Sequence, residues 1–137
     1  MSRHETEMTR WFWRLTGGKL FEEFMVVPRG ANQGRRLVDG LIVHGLPTRI
    51  ARIGERIDLR ELDVVVVQAK NARLGMNLMG QTLFSARLVA RLAPRSVRAV
   101  ALCGSDDVVL RPLLELFAGC EVRVCPPEVC QRLKARG

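Results

Sequence analysis

Asp39, Gln68 and Lys70 are the residues of this chain whose types and spacing carry chemistry. Asp39 lies inside the apolar run Leu37-Val38-Asp39-Gly40-Leu41-Ile42-Val43. Lys70 closes a second run, Val64-Val65-Val66-Val67-Gln68-Ala69-Lys70. Both runs are short, rich in β-branched residues and bounded by turn formers, which predicts strands. Side chains two apart on a strand share a face, so Gln68 and Lys70 are expected to point the same way. A carboxylate beside such an amide–amine pair can hold a divalent cation and a cationic amine next to one phosphate. Each residue also has a plainer reading. Asp39 could pair with Arg35 or Arg36, Gln68 could be a satisfied core amide, and Lys70 could mark where its strand meets solvent. An acid inside an apolar strand is costly to bury without a purpose, and only the three together raise the chemical reading.

The elements that must hold these residues follow from the pattern around them. Residues 6–15 predict a first helix with Met8, Trp11 and Leu15 on one face, ended by Gly17-Gly18. Residues 20–27 and 36–44 predict two strands joined by a Gly-rich loop at 28–34, hence an antiparallel hairpin. Residues 48–62 leave helix, loop and short strand open. Ile50, Ile53 and Ile57 keep a helical interval, while Gly54 and the charges oppose it. Residues 62–70 predict the strongest strand, its apolar run nearly continuous, as for a strand covered on both faces. A long helix at 74–92 stopped by Pro94, a strand at 96–103 and a helix capped from Gly104-Ser105-Asp106-Asp107 and ending near Gly119 come next. A strand at 120–125 and a short helix at 128–135 complete the chain. Early strands pair locally, and later ones alternate with helices, which implies parallel crossovers. The expected fold is α/β, a mixed central sheet flanked by helices, in a single domain spanning 1–137.

Bulk properties narrow the class. The 137 residues are 47% hydrophobic and 26% charged, values of a globular chain rather than a disordered one. Lys and Arg number 22 against 14 Asp and Glu, a net charge of +8. That balance favours a polyanionic partner, although an arginine-rich coding bias gives the same composition. No apolar stretch reaches the roughly 18 residues of a membrane span, and residues 1–7 are too polar for a secretory leader. The expectation is a cytoplasmic protein without a membrane partner. Cys103, Cys120, Cys125 and Cys130 lack the tight pairs of zinc sites, and the histidines, His4 and His44, lie far upstream. They are expected to be free thiols acting as small apolar residues. No Walker phosphate loop and no Ser-His-Asp set is present.

The order of elements, with Asp39 in the second strand and Gln68-Ala69-Lys70 at the end of the third, resembles the PD-(D/E)XK nuclease superfamily, the restriction-endonuclease-like fold. The resemblance implies an αβββαβ core with a C-terminal αβα extension. It implies metal-dependent hydrolysis of DNA phosphodiester bonds, with Asp39 as the first acid and Lys70 as the lysine. Two departures stand out: Val38 precedes Asp39 where the family motif has proline, and Gln68 occupies the second acidic position. The implied ligands of Mg²⁺ or Mn²⁺ are Asp39, the Gln68 side-chain oxygen and the Ala69 carbonyl. Lys70 would orient the attacking water or offset charge on the phosphate. An amide supplies only a dipole, so a further acid is needed; Glu7 on the first helix is the candidate, with Glu5 and Glu22 as alternatives. Arg35, Arg36, Arg73 and Arg87 would contact backbone phosphates without reading sequence. Gln81, in Gln81-Thr82-Leu83-Phe84-Ser85, stands where some nucleases carry Gln-x-x-x-Tyr and is expected at the edge of the site. A homodimer would suit cleavage of both strands. Two other readings stay open: a catalytically inactive nucleic-acid-binding module, and a subunit-interaction protein presenting the segment 110–117 to a partner.

Overall fold

In a computed structural model, which describes residues 2–130, Ser2 and Glu5 cap the first helix reciprocally. Each side chain accepts from the other's backbone N–H, which satisfies two donors that the first turn leaves open. Helix α1 (Arg3–Thr16) follows and ends at Gly17, whose φ of 71° suits a residue without Cβ. Strands β1 (Lys19–Val27) and β2 (Arg36–Val43) form the expected antiparallel hairpin.

The ambiguous stretch resolves into β3 (Arg49–Ile50), two residues lying parallel on the outer edge of β1, followed by loop. No helix forms there because the three isoleucines share no single core: Ile50 packs against one face of the sheet, Ile57 against the other, and Ile53 is fully exposed. Glu55 pins the loop instead, paired with both Lys19 and Arg49.

Strand β4 (Asp63–Arg73) occupies the middle of the sheet, between β2 and β5 (Ser96–Ser105), with β6 (Cys120–Val124) beyond. The six-stranded order is β3-β1-β2-β4-β5-β6. β2 and β4 are antiparallel, whereas β4, β5 and β6 are mutually parallel, linked by α2 (Met76–Ala90) and α3 (Leu110–Glu115). Several boundaries differ from expectation: α1 begins three residues earlier, at Arg3, and α2 is two residues shorter at each end. β4 and β5 run on past a bulge to pair Arg73 with Ser105. α3 stops at Glu115, and tight turns carry the chain through Gly119, at φ 81°, into β6. Residues 127–130 are helical, and the rest of the helix expected at 128–135 lies outside the described residues.

Alternation along β4 sorts the core into two faces. Val65, Val67 and Ala69 join Leu20, Ile42, Val100 and Leu102 beneath Met8 and Phe12 of α1. Val64 and Val66 join Phe21, Leu41, Val43 and Ala99 beneath Ala86 and Val89 of α2. α1 sits so close to β2 that a Cβ at Gly40 would lie 2.7 Å from Thr9 Cγ2. The molecule is thus the α/β architecture expected, a mixed sheet flanked by helices. The four thiols are free, with Cys103, Cys125 and Cys130 buried and Cys120 partly so. Among the described residues no helix is long and apolar enough to cross a membrane.

Candidate active site

The β2–β4 ladder runs from Val43–Val64 to Gly40–Val67 and stops there. At the next step, side chains replace the ladder. The Ala69 N–H donates to Asp39 Oδ2 at 2.8 Å, and the Asp39 N–H donates to Gln68 Oε1 at 3.3 Å. Gln68 Nε2 in turn donates to Ser85 Oγ at 2.7 Å, on the buried side of α2. The two backbones part at this point, and a cleft of about 1130 Å³ opens between them. Asp39, Gln68, Ala69 and Lys70 line it together. Arg35 and Arg36 approach from the start of β2, Arg73 from the end of β4, and Asn77 and Gln81 from α2.

Nine of the residues singled out from the sequence, Glu5 included, therefore meet in one cleft. Glu7 and Arg87 are not among those lining it. The charge of Glu7 acts on Arg10, which is itself paired with Glu22 at 2.8 Å. Arg87 lies near the Cys120 thiol. Of the three acids considered to complete the site, Glu5 reaches the cleft, with its Oε2 holding the Ser2 N–H at 3.0 Å.

One acid was missed. Glu22 pairs with Gly40 and Phe24 with Val38, so Glu23 lies opposite Asp39. Its backbone has φ 49°, an uncommon value for a residue with a side chain. The signal was present in the hairpin register, where a shift of one residue exchanges the faces of Glu22 and Glu23.

Burial is the largest influence on Asp39 and pushes its carboxyl up to about 6. The Ala69 N–H pulls it down, and the charges of Glu5 and Glu23 push it up. The sign for stability follows. In the unfolded chain the proton leaves near the ordinary aspartate value of 3.8, so between pH of about 4 and 6 the native state binds more protons. Asp39 therefore makes stability fall as pH rises through that window. Asp39→Asn keeps an acceptor for the Ala69 N–H and removes the charge. Thermal melts of both proteins from pH 4 to 8 should show wild type losing stability relative to the variant between pH 4 and 6. Parallel curves would exclude a buried ionising Asp39.

Lys70 is exposed, and among the described residues no hydrogen bond or ion pair holds its ammonium group. Gln68 is 6% exposed and behaves as a satisfied core amide, its oxygen turned to the Asp39 N–H and its nitrogen to Ser85. That geometry makes it a brace for Asp39, while its oxygen keeps a second lone pair, the one the implied metal role would use. Among the described residues no three His, Cys, Asp or Glu side chains converge to hold an ion. The remaining oxygen donors are the Asp39 carboxylate and the Ala69 carbonyl, which in a strand faces the same neighbour as its own N–H. Mg²⁺ characteristically keeps several waters and takes one or two carboxylates plus substrate phosphates. This donor set fits such a water-rich ion and does not fit an all-protein cage. No protein-family model, no curated protein and no solved structure matches the chain.

Proposed function

We propose that the cleft binds a nucleic-acid backbone, DNA in the first instance, and hydrolyses a phosphodiester bond with Mg²⁺ or Mn²⁺. The observation that carries this reading is the meeting of Asp39 and Lys70 in one cleft, at the point where β2 and β4 part. The order α1-β1-β2-β4-α2-β5, with β3 a two-residue addition, supports the restriction-endonuclease-like reading of the fold.

Asp39 and the Ala69 carbonyl would hold the cation. When bound, it would neutralise phosphate charge and activate a water molecule. Gln68, braced on Ser85, keeps the Asp39 backbone in place. Lys70 brings to the same cleft an ammonium group that no described residue holds, and there it can orient the nucleophile or offset charge growing on the phosphate. Arg35, Arg36 and Arg73 contact flanking phosphates, which positions a strand without reading its bases. A cytoplasmic setting belongs to the same reading.

A second reading, binding without catalysis, is favoured by the engagement of Gln68 where the family motif carries an acid. Incubating the purified protein with short DNA in Mg²⁺, Mn²⁺ or chelator separates the two. The nuclease reading expects cleavage only with the cation. Both expect binding that weakens with salt, with a log–log slope of about −3 to −4 for four neutralised phosphates. Salt-sensitive binding without cleavage under any cation selects the second reading. No binding even at low salt removes both.

A further inference from the structure

We infer that the substrate enters this cleft as a single strand, with one base seated in a slot on α2 between Met76 and Phe84. The inference rests on the proposed function and names its substrate class.

Met76, Gly80, Phe84 and Leu88 stand four residues apart on α2 and all line the cleft. Residues at that spacing form one row along a helix. Such an apolar row normally faces a core. Here Met76 is 76% exposed and Phe84 67%. Gly80 sits between them, and a Cβ built there meets nothing within 4 Å. Glycine in a helix interior is destabilising relative to alanine, so its use needs a reason. Among the described residues no close approach supplies one at Gly80. The missing side chain leaves a gap between a thioether and an aromatic ring set about 12 Å apart along the axis, at a rise of about 1.5 Å per residue.

A planar base suits that gap. Aromatic side chains stack on any base, because every base has a π-face. Gln81, next to Gly80, offers an amide to the base edge. Arg35 and Arg36, from the start of β2, supply the charge that tracks a backbone. A cationic groove combined with an exposed aromatic is the arrangement that binds unpaired strands. In a duplex the base faces are already stacked, so Met76 and Phe84 reach them only when the strand is open. The cleft volume, about 1130 Å³, is on the scale of small-ligand pockets and suits a few unpaired nucleotides.

The test is fluorescence anisotropy in chelator, with a labelled single-stranded DNA oligonucleotide and the duplex of the same sequence. The variants are Phe84→Ala, Phe84→Trp and Gly80→Leu. Leucine favours the helix over glycine, so Gly80→Leu fills the slot without weakening α2. Wild type is expected to bind the single strand more tightly than the duplex. Phe84→Ala and Gly80→Leu should each weaken single-strand binding roughly tenfold, the effect of losing one base–aromatic stack, with the salt slope unchanged. Phe84→Trp should retain it. Equal affinity for both forms, or variants without effect, overturns the inference while salt-sensitive binding leaves the proposed function standing. Loss of binding to both forms in the wild type removes the proposed function itself. If size measurement shows a dimer that Phe84→Ala dissociates, the row is a protein interface and the inference fails.

Discussion

Replacing Lys70 by alanine is expected to lower cation-dependent cleavage at least about a hundredfold and to leave the melting temperature unchanged. The size follows from what a positioned charge contributes when it faces charge developing in the transition state. The unchanged stability follows from the structure. Lys70 is exposed at the end of its apolar run, and among the described residues nothing is bonded to it. Asp39→Asn should reach the same low rate by removing the cation's carboxylate while keeping the acceptor for the Ala69 N–H. Asp39→Ala differs instructively. It leaves that N–H without its partner at 2.8 Å, so it should lose activity and also about 1–3 kcal/mol of stability. Single-turnover cleavage rates beside thermal melts separate these effects. Wild-type rates in both Lys70→Ala and Asp39→Asn would assign any cleavage to a contaminant or to a different site.

Gln68→Glu is expected to make folding depend on a divalent cation. The glutamate can still accept from the Asp39 N–H, and the Ser85 hydroxyl can rotate to donate to it. The shape is conserved, but a second carboxylate now sits buried against Asp39. An uncompensated buried charge costs on the order of 3–5 kcal/mol, so at pH 8 in chelator the melting temperature should drop sharply. At pH 5 the loss should shrink, because Asp39, with its carboxyl near 6, holds its proton there. Adding Mn²⁺ at pH 8 should restore stability, since a ligand of the native state alone stabilises by mass action. A variant as stable as wild type in chelator, and indifferent to Mn²⁺, would show that positions 39 and 68 do not share a cation site.

Much of the fold was legible because its signals are local. The β-branched runs around Leu41 and Val66 read as strands, and the glycine-rich link before Arg36 pointed to a hairpin of the first two. Alternation of strand and helix after Lys70 implied the parallel crossovers through α2 and α3. Cysteine spacing without tight pairs already read as free thiols. What stayed open needed long-range information. Ile50, Ile53 and Ile57 keep helical spacing, yet Ile50 joins an edge strand through β1, thirty residues earlier.

The sequence by itself determined the residue types of the candidate site and the strands that carry them, because strand propensity and period two are properties of a few neighbouring residues. Only the tertiary structure decided which groups meet. Whether Glu5, Glu7, Glu22 or Glu23 approaches Asp39 depends on the phase of α1 and the register of β1 against β2. Whether Gln68 ligates or braces depends on Ser85, seventeen residues away on α2. The ladder between β2 and β4 ends after Gly40, where side chains bridge the parting strands. That parting makes the cleft. It arises from α1, α2 and two strands packing together, and no short window of the chain contains it.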